Sequence, residues 1–164
     1  VKRPSYKDII WAMGQAQLQA EKASKAGEVP VGACILDPDG KIVSTGENRK
    51  EELADPTSHA EIEVIKAATQ KIEQWRLNGF SIVVTLEPCL MCMGAILHAR
   101  LSHLYFGAYD KKAGALSLGY NIHDDKRLNH KFSVTGGINH FGTSRQLSQF
   151  FKTKRSQYTY KNRP

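Results

Sequence analysis

Phe80-Ser81-Ile82-Val83-Val84-Thr85-Leu86-Glu87-Pro88-Cys89-Leu90-Met91-Cys92 is the stretch that decides the fold. Its first seven residues are nearly all apolar, which suits a strand buried on both faces. Pro88 then opens a helix over 89–99, and 101–108 reads as a further strand. Upstream, Tyr6, Ile9, Ile10, Met13, Ala16, Ala20 and Ala23 recur at helical spacing, with Gly27 as the stop. Two strand-like runs, 31–36 and 41–46, flank the turn Asp37-Pro38-Asp39-Gly40 and predict a hairpin. The segment 47–58 reads as a polar loop ending in the helix-start signal Asp55-Pro56-Thr57-Ser58, and 59–73 as a helix. Downstream, 110–130 is polar with short helical turns at most. Phe132 to Thr135 reads as the last strand. A basic closing helix is expected from about 143, with Leu147, Phe150, Phe151 and Lys154 giving it an aromatic inner edge. Strands alternating with helices imply one layered α/β domain over 1–164, its sheet largely parallel after the first hairpin.

Composition narrows the setting. With 164 residues, 41% hydrophobic and 24% charged, the chain reads as an ordinary globular protein of one domain. No apolar run reaches membrane-spanning length and no signal-type hydrophobic region follows Val1-Lys2-Arg3-Pro4-Ser5, so a cytoplasmic protein with no membrane partner is expected. Three cysteines argue against a disulfide scaffold; Cys34, in an apolar run, is read as buried filler. The net charge is +7, and residues 126–164 hold nine Lys or Arg and no acid, against 14 basic and 16 acidic residues elsewhere. That one-sided basic end suits a polyanion-binding surface, or equally a solvated tail.

Two segments carry chemistry: His59-Ala60-Glu61 and Pro88-Cys89-Leu90-Met91-Cys92. Each lies where a strand or loop runs into a helix start. Cys89 and Cys92, three apart, share one face of a first helical turn, so both thiolates can hold one ion. The positive end of the helix dipole favours their deprotonated form. His59 supplies a third ligand from the other helix start. Three protein ligands leave the fourth position of a zinc ion for water, the mark of a catalytic site, and zinc brings the pKa of that water to ~7. Glu61 can stand beside the metal without ligating it and move protons. Adding water across an amidine-type carbon needs such a group twice, for the ring nitrogen and for the departing amine. A Cys-x-x-Cys can instead be a redox pair or half of a structural zinc site. A redox pair leaves His59 and Glu61 without a role. A structural site needs a fourth ligand, and His98 lies about 9 Å further along its helix by helical rise, too far to close the tetrahedron easily.

His59-Ala60-Glu61 followed by Thr85-Leu86-Glu87-Pro88-Cys89-Leu90-Met91-Cys92-Met93-Gly94-Ala95 resembles the cytidine deaminase-like superfamily, and within it the bacterial tRNA adenosine deaminases, which make inosine at the anticodon wobble position. Glu28-Val29-Pro30-Val31-Gly32-Ala33, Asn48-Arg49, Phe106-Gly107-Ala108, Asp110, Leu128-Asn129-His130 and Phe150-Phe151 extend the resemblance over most of the chain. It implies a three-layer α/β/α sandwich with a five-stranded mixed sheet, usually a homodimer with substrate grooves near the interface. It implies that His59, Cys89 and Cys92 hold one zinc per chain and that Glu61 shuttles protons. By position, Asn48 would hydrogen-bond the flipped nucleoside and the backbone of Ala60 and Glu87 would meet the base edge. Val29, Pro30 and Leu86 would wall the pocket, and Asp110 and Phe151 would meet neighbouring anticodon-loop nucleotides. The chain departs from the pattern at Lys50, where the family often has proline, at Tyr109 before Asp110, and at Gly142-Thr143.

The leading expectation is therefore hydrolytic deamination of adenosine in a tRNA anticodon stem-loop, with Lys152, Lys154 and Arg155 as candidates to meet the RNA backbone. The alternative within the same chemistry is a free guanine or cytosine deaminase. The alternative of another class is a non-catalytic zinc protein that binds RNA.

Overall fold

A computed structural model describes residues 2–161, with side chains through 157. Helix α1 (Tyr6–Lys25) starts in a capping box between Ser5 and Asp8. The hairpin of β1 (Gly32–Leu36) and β2 (Ile42–Glu47) follows as expected. Next come α2 (Lys50–Leu53), α3 (Ala60–Ile72), β3 (Ser81–Leu86), α4 (Leu90–His98) and β4 (His103–Ala108). A 3-10 turn (Ile122–Asp124), β5 (Ser133–Thr135) and α5 (His140–Lys161) complete the order. Among the described residues, five strands form one sheet in the order β2-β1-β3-β4-β5. The β1 strand is antiparallel to both neighbours, while β3–β4 and β4–β5 are parallel.

The strand period of two divides the core. Cys34, Leu36, Val83 and Tyr105 face Ile9, Ala12, Met13 and Ala16 of α1. Ala33, Ile35, Ile82, Val84, Leu104 and Phe106 face α3 and α4 through Ala60, Val64, Ala68, Met93 and Ile96. With α5 packed on β4 beside α1, this is a three-layer α/β/α sandwich. Gly32 lets α1 lie directly on the sheet, since a Cβ there would fall on the carbonyl oxygen of Ala16.

Three local readings change. The loop 47–58 contains the short helix α2, held where Arg49 pairs with Glu52 at 2.7 Å and the Glu52 N–H donates to the buried Glu28. The N-cap of α3 is His59 and not the Asp55–Ser58 run; Asp55 instead accepts from Thr57 and Ser58 in the turn before it. Helix α5 begins at His140 rather than near 143, and its buried residue is Thr143. The aromatic edge divides: Phe150 is half-buried beside α1, while Phe151 is 45% exposed on the opposite groove, one facing inward and the other outward. Among those residues no helix is long and apolar enough to cross a membrane.

Candidate active site

The site forms where α3 and α4 both begin. His59 caps α3 and Cys89 caps α4, each in extended conformation and neither using its side chain to cap the helix. Ser, Thr, Asp or Asn at such positions stabilises a helix by about 1 kcal/mol. Here that contribution is absent and the imidazole and thiol stay available. His59 Nδ1 lies 3.7 Å from Cys89 Sγ and 3.6 Å from Cys92 Sγ. These donors form the one metal-capable cluster among the described residues, all within 4.8 Å of one another. A tetrahedral zinc with ordinary Zn–S and Zn–N bond lengths spaces its sulfur and nitrogen ligands about 3.5 Å apart. The donor set fits that ion in chemistry and in spacing. His98 is exposed at the other end of α4 and takes no part.

The three donors share one hydrogen-bonded proton network. Hydrogen bonds from Cys92 and then His59 hold the Cys89 thiol down at about 4, against the cost of its burial. The Cys92 thiol is pushed up, because it is the donor to Cys89 and is itself buried. The hydrogen bond to Cys89 raises His59. Cys34 is fully buried away from this cluster, and burial pushes its thiol up to about 12.

Glu61 is 4% exposed, in the first turn of α3. Burial lifts its carboxyl to about 6, close to the pH at which a group both takes and gives protons. It lines a cavity of about 120 Å³ together with His59, Ala60, Leu86, Glu87, Cys89, Asn48, Val29 and Asp110. Val31, Lys50 and Ala113 complete the lining. Pro30 is buried between Val29 and Val31, which both line the cavity, and is not itself among the lining residues. Asn48 is 3% exposed, and its Oδ1 has no hydrogen-bond partner.

The Glu87 side chain has a task that its motif did not suggest. Its carboxylate accepts from the Asp110 N–H at 2.9 Å, the Ser117 N–H at 2.7 Å and the Ser117 hydroxyl at 2.6 Å. It thereby fastens the 110–117 loop over the site, where the Ala115 N–H also donates to the Pro88 carbonyl. Gly114 is required for this closeness, because a Cβ would collide with the Glu87 carboxylate. The Glu87 N–H is spent on Ala108, so its carbonyl is the backbone group left for a ligand.

Outside the cavity lies an open groove of about 960 Å³ between the C-terminal ends of β3 and β4 and helix α5. It shares Val29, Leu86 and Asp110 with the cavity and adds Tyr109, Lys112, Phe151, Lys152, Lys154 and Arg155. Tyr109 is 53% exposed and packs edge-on against Phe106.

Residues 7–108 match the family described as the cytidine and deoxycytidylate deaminase zinc-binding region. The chain belongs to this family of zinc-binding deaminases. At a finer level it is 42% identical to the tRNA-specific adenosine deaminase of Haemophilus influenzae, over 84% of this chain and 80% of that protein. The tRNA-specific adenosine deaminase of Agrobacterium fabrum is 41% identical over 87% of this chain and 93% of its own length. A solved structure from a study of A-to-I editing by tRNA:A34 deaminases superposes with a TM-score of 0.80 at 39% identity, covering 84% of this chain and 99% of that one.

Proposed function

We propose that this protein hydrolyses adenosine to inosine at the wobble position of tRNA. The observation that carries the reading is the His59–Cys89–Cys92 donor set with the buried Glu61 beside it on the wall of a base-sized cavity. The relatives named tRNA-specific adenosine deaminase support the substrate. On this reading His59, Cys89 and Cys92 hold one zinc per chain. When bound, zinc supplies the Lewis acidity that makes water a nucleophile near neutral pH.

Glu61 takes a proton from the attacking water as its oxygen bonds to the base carbon, and passes that proton to the ring nitrogen. It then takes the proton of the new hydroxyl and gives it to the exocyclic amine. The carbon–nitrogen bond breaks, ammonia leaves and the carbonyl of inosine remains. Ala60 offers a first-turn N–H that its helix cannot satisfy, and Glu87 offers a carbonyl, so one donor and one acceptor meet the base edge. Val29 and Leu86 wall the base, with Pro30 fixing the chain between the lining residues Val29 and Val31, and Asn48 holds the nucleoside. Asp110 and Phe151 meet the flanking nucleotides, while Lys152, Lys154 and Arg155 meet phosphates. A cytoplasmic homodimer belongs to the same reading, since exposed Leu90, Met91 and Leu118 give apolar surface for a second copy.

A free guanine deaminase is the second reading, favoured by a solved guanine deaminase from Bacillus subtilis that is 31% identical over 67% of this chain, with a TM-score of 0.58. One assay separates the two: purified protein is incubated with an anticodon stem-loop, free adenosine, guanine and cytosine. Inosine in the stem-loop is expected; turnover of guanine alone would overturn the proposal. Elemental analysis should find one zinc per chain. After chelation, iodoacetamide should label Cys89 first, because its thiol is held down and part-exposed, whereas Cys34 and Cys92 are both buried with their thiols pushed up. Sedimentation at micromolar concentration tests the dimer.

A further inference from the structure

Glu28 is a buried carboxylate to which the mechanism gives no role. It is 2% exposed, on the segment that leads from α1 to β1. One of its oxygens, Oε1, accepts the Glu52 N–H at 2.9 Å. The other, Oε2, faces Asn48 Nδ2 at 3.5 Å, and the Val29 carbonyl oxygen faces the same Nδ2 at 3.4 Å. At the other end of the amide, Asn48 Oδ1 is buried without a partner. Both contacts to Nδ2 are long, so neither is a strong hydrogen bond on its own. Their sign is what matters. An amide turned over would set its oxygen against a carboxylate and a carbonyl in a water-poor interior, where unpaired acceptors are costly.

We propose that Glu28 is a positioning residue that fixes the Asn48 amide, so that Oδ1 is presented to the substrate as an acceptor. The inference rests on the reading above that Asn48 meets the nucleoside. It has a consequence for specificity: the group that Asn48 reads must be a hydrogen-bond donor, such as a ribose hydroxyl, and not a bare ring nitrogen.

The test exchanges donor and acceptor across the pair. Glu28→Gln keeps its oxygen on the Glu52 N–H and turns its NH₂ toward Asn48, which flips the amide. Asn48→Asp sets two carboxylates face to face. Each single variant should lose at least ten-fold in kcat/KM on the anticodon stem-loop while keeping its zinc. In the double variant Glu28→Gln/Asn48→Asp, the NH₂ introduced at position 28 donates to one oxygen of the carboxylate introduced at position 48 and leaves the other oxygen toward the substrate. That double variant should be at least ten-fold more active than the product of the two single losses allows. A merely structural Glu28 gives no such reciprocal rescue. Losses that simply multiply, or Glu28→Gln with the parent kcat/KM, overturn the proposal. Asn48→Ala separates this from the underlying reading: parent activity there removes Asn48 from the substrate and takes both down. A large loss in Asn48→Ala with uncoupled single variants overturns the Glu28 role alone. Should Glu28→Gln fail to fold, the Asn48 side-chain amide protons of the parent decide by nitrogen-15 exchange. Slow exchange is expected, and exchange as fast as that of exposed Asn121 overturns the proposal.

Discussion

The inner cavity and the outer groove share Val29, Leu86 and Asp110, yet they are built in opposite ways. The cavity measures about 120 Å³ and is set among the buried carboxyls of Glu28, Glu61 and Glu87. Two of these are tied to backbone N–H groups of the flanking loops, Glu52 for Glu28, and Asp110 and Ser117 for Glu87. The groove measures about 960 Å³, and exposed Tyr109 and Phe151 with three basic residues of α5 line it. The contrast separates two kinds of specification. Chemistry is held by short buried contacts that tolerate little displacement. The groove is lined by exposed side chains, each of which would be worth little alone in holding a charged polymer.

The sharpest way to break the contrast is Glu61→Gln. The amide fills the same space but cannot shuttle protons, so kcat should fall by ~10²-fold or more, the usual scale for a missing acid–base group. Zinc content and stem-loop affinity should stay at parent values. Zinc lost together with activity would make Glu61 a ligand and undo its separation from the donor set.

The second variant asks whether the wall shared by the two regions belongs to the rigid side. Gly114→Ala drives a methyl into the Glu87 carboxylate that fastens the 110–117 loop. Overpacking of this kind costs about 1–3 kcal/mol. The melting temperature should drop by several degrees and kcat/KM by about ten-fold as Asp110 shifts, with zinc retained. Parent-like melting and turnover would mean that the loop is as adaptable as the groove.

The same contrast explains what could be read from the sequence. The stretch 80–92 was legible because a strand buried on both faces and a helix start differ in local pattern. His59, Cys89 and Cys92 were legible because metal chemistry demands particular residue types. The links made by the buried carboxylates were not. Glu28 meets Asn48 twenty residues away and Glu87 meets Ser117 thirty residues away, and no periodicity records such pairings. Helix α2 leaves little sequence signal because its four residues are held by the local Arg49–Glu52 pair and by the distant Glu28 carboxylate, not by their propensity. The start of α5 departs from its sequence pattern because Asn139, in left-handed conformation, and a buried Thr143 set it, while the aromatic residues that suggested an inner edge face the groove and α1. Lys112, far from the basic C-terminal run in sequence, joins the groove only in three dimensions.

The smallest effect on the chemical step is expected where the charge is most obvious. Replacing Lys152, Lys154 and Arg155 together with alanine removes three of the cations that line the groove. None of the three lines the cavity, so zinc content and kcat at saturating stem-loop should match the parent. Binding should change in a defined way. Each phosphate neutralised by a cation releases counterions, so affinity falls with salt at a slope of about −0.7 per contact on single strands. Three lost contacts should flatten a log–log plot of affinity against salt by about two units and raise KM at low salt. At high salt, where screening has already removed the contacts, variant and parent should converge. The helix itself should survive, since these positions are exposed and helix formers such as Lys and Arg are replaced by Ala, a better one. Circular dichroism checks that point, and Lys112→Ala added to the triple variant should flatten the slope further. An unchanged slope would mean that the basic end of the chain is only a solvated surface, and that affinity for RNA resides in the cavity and its shared wall.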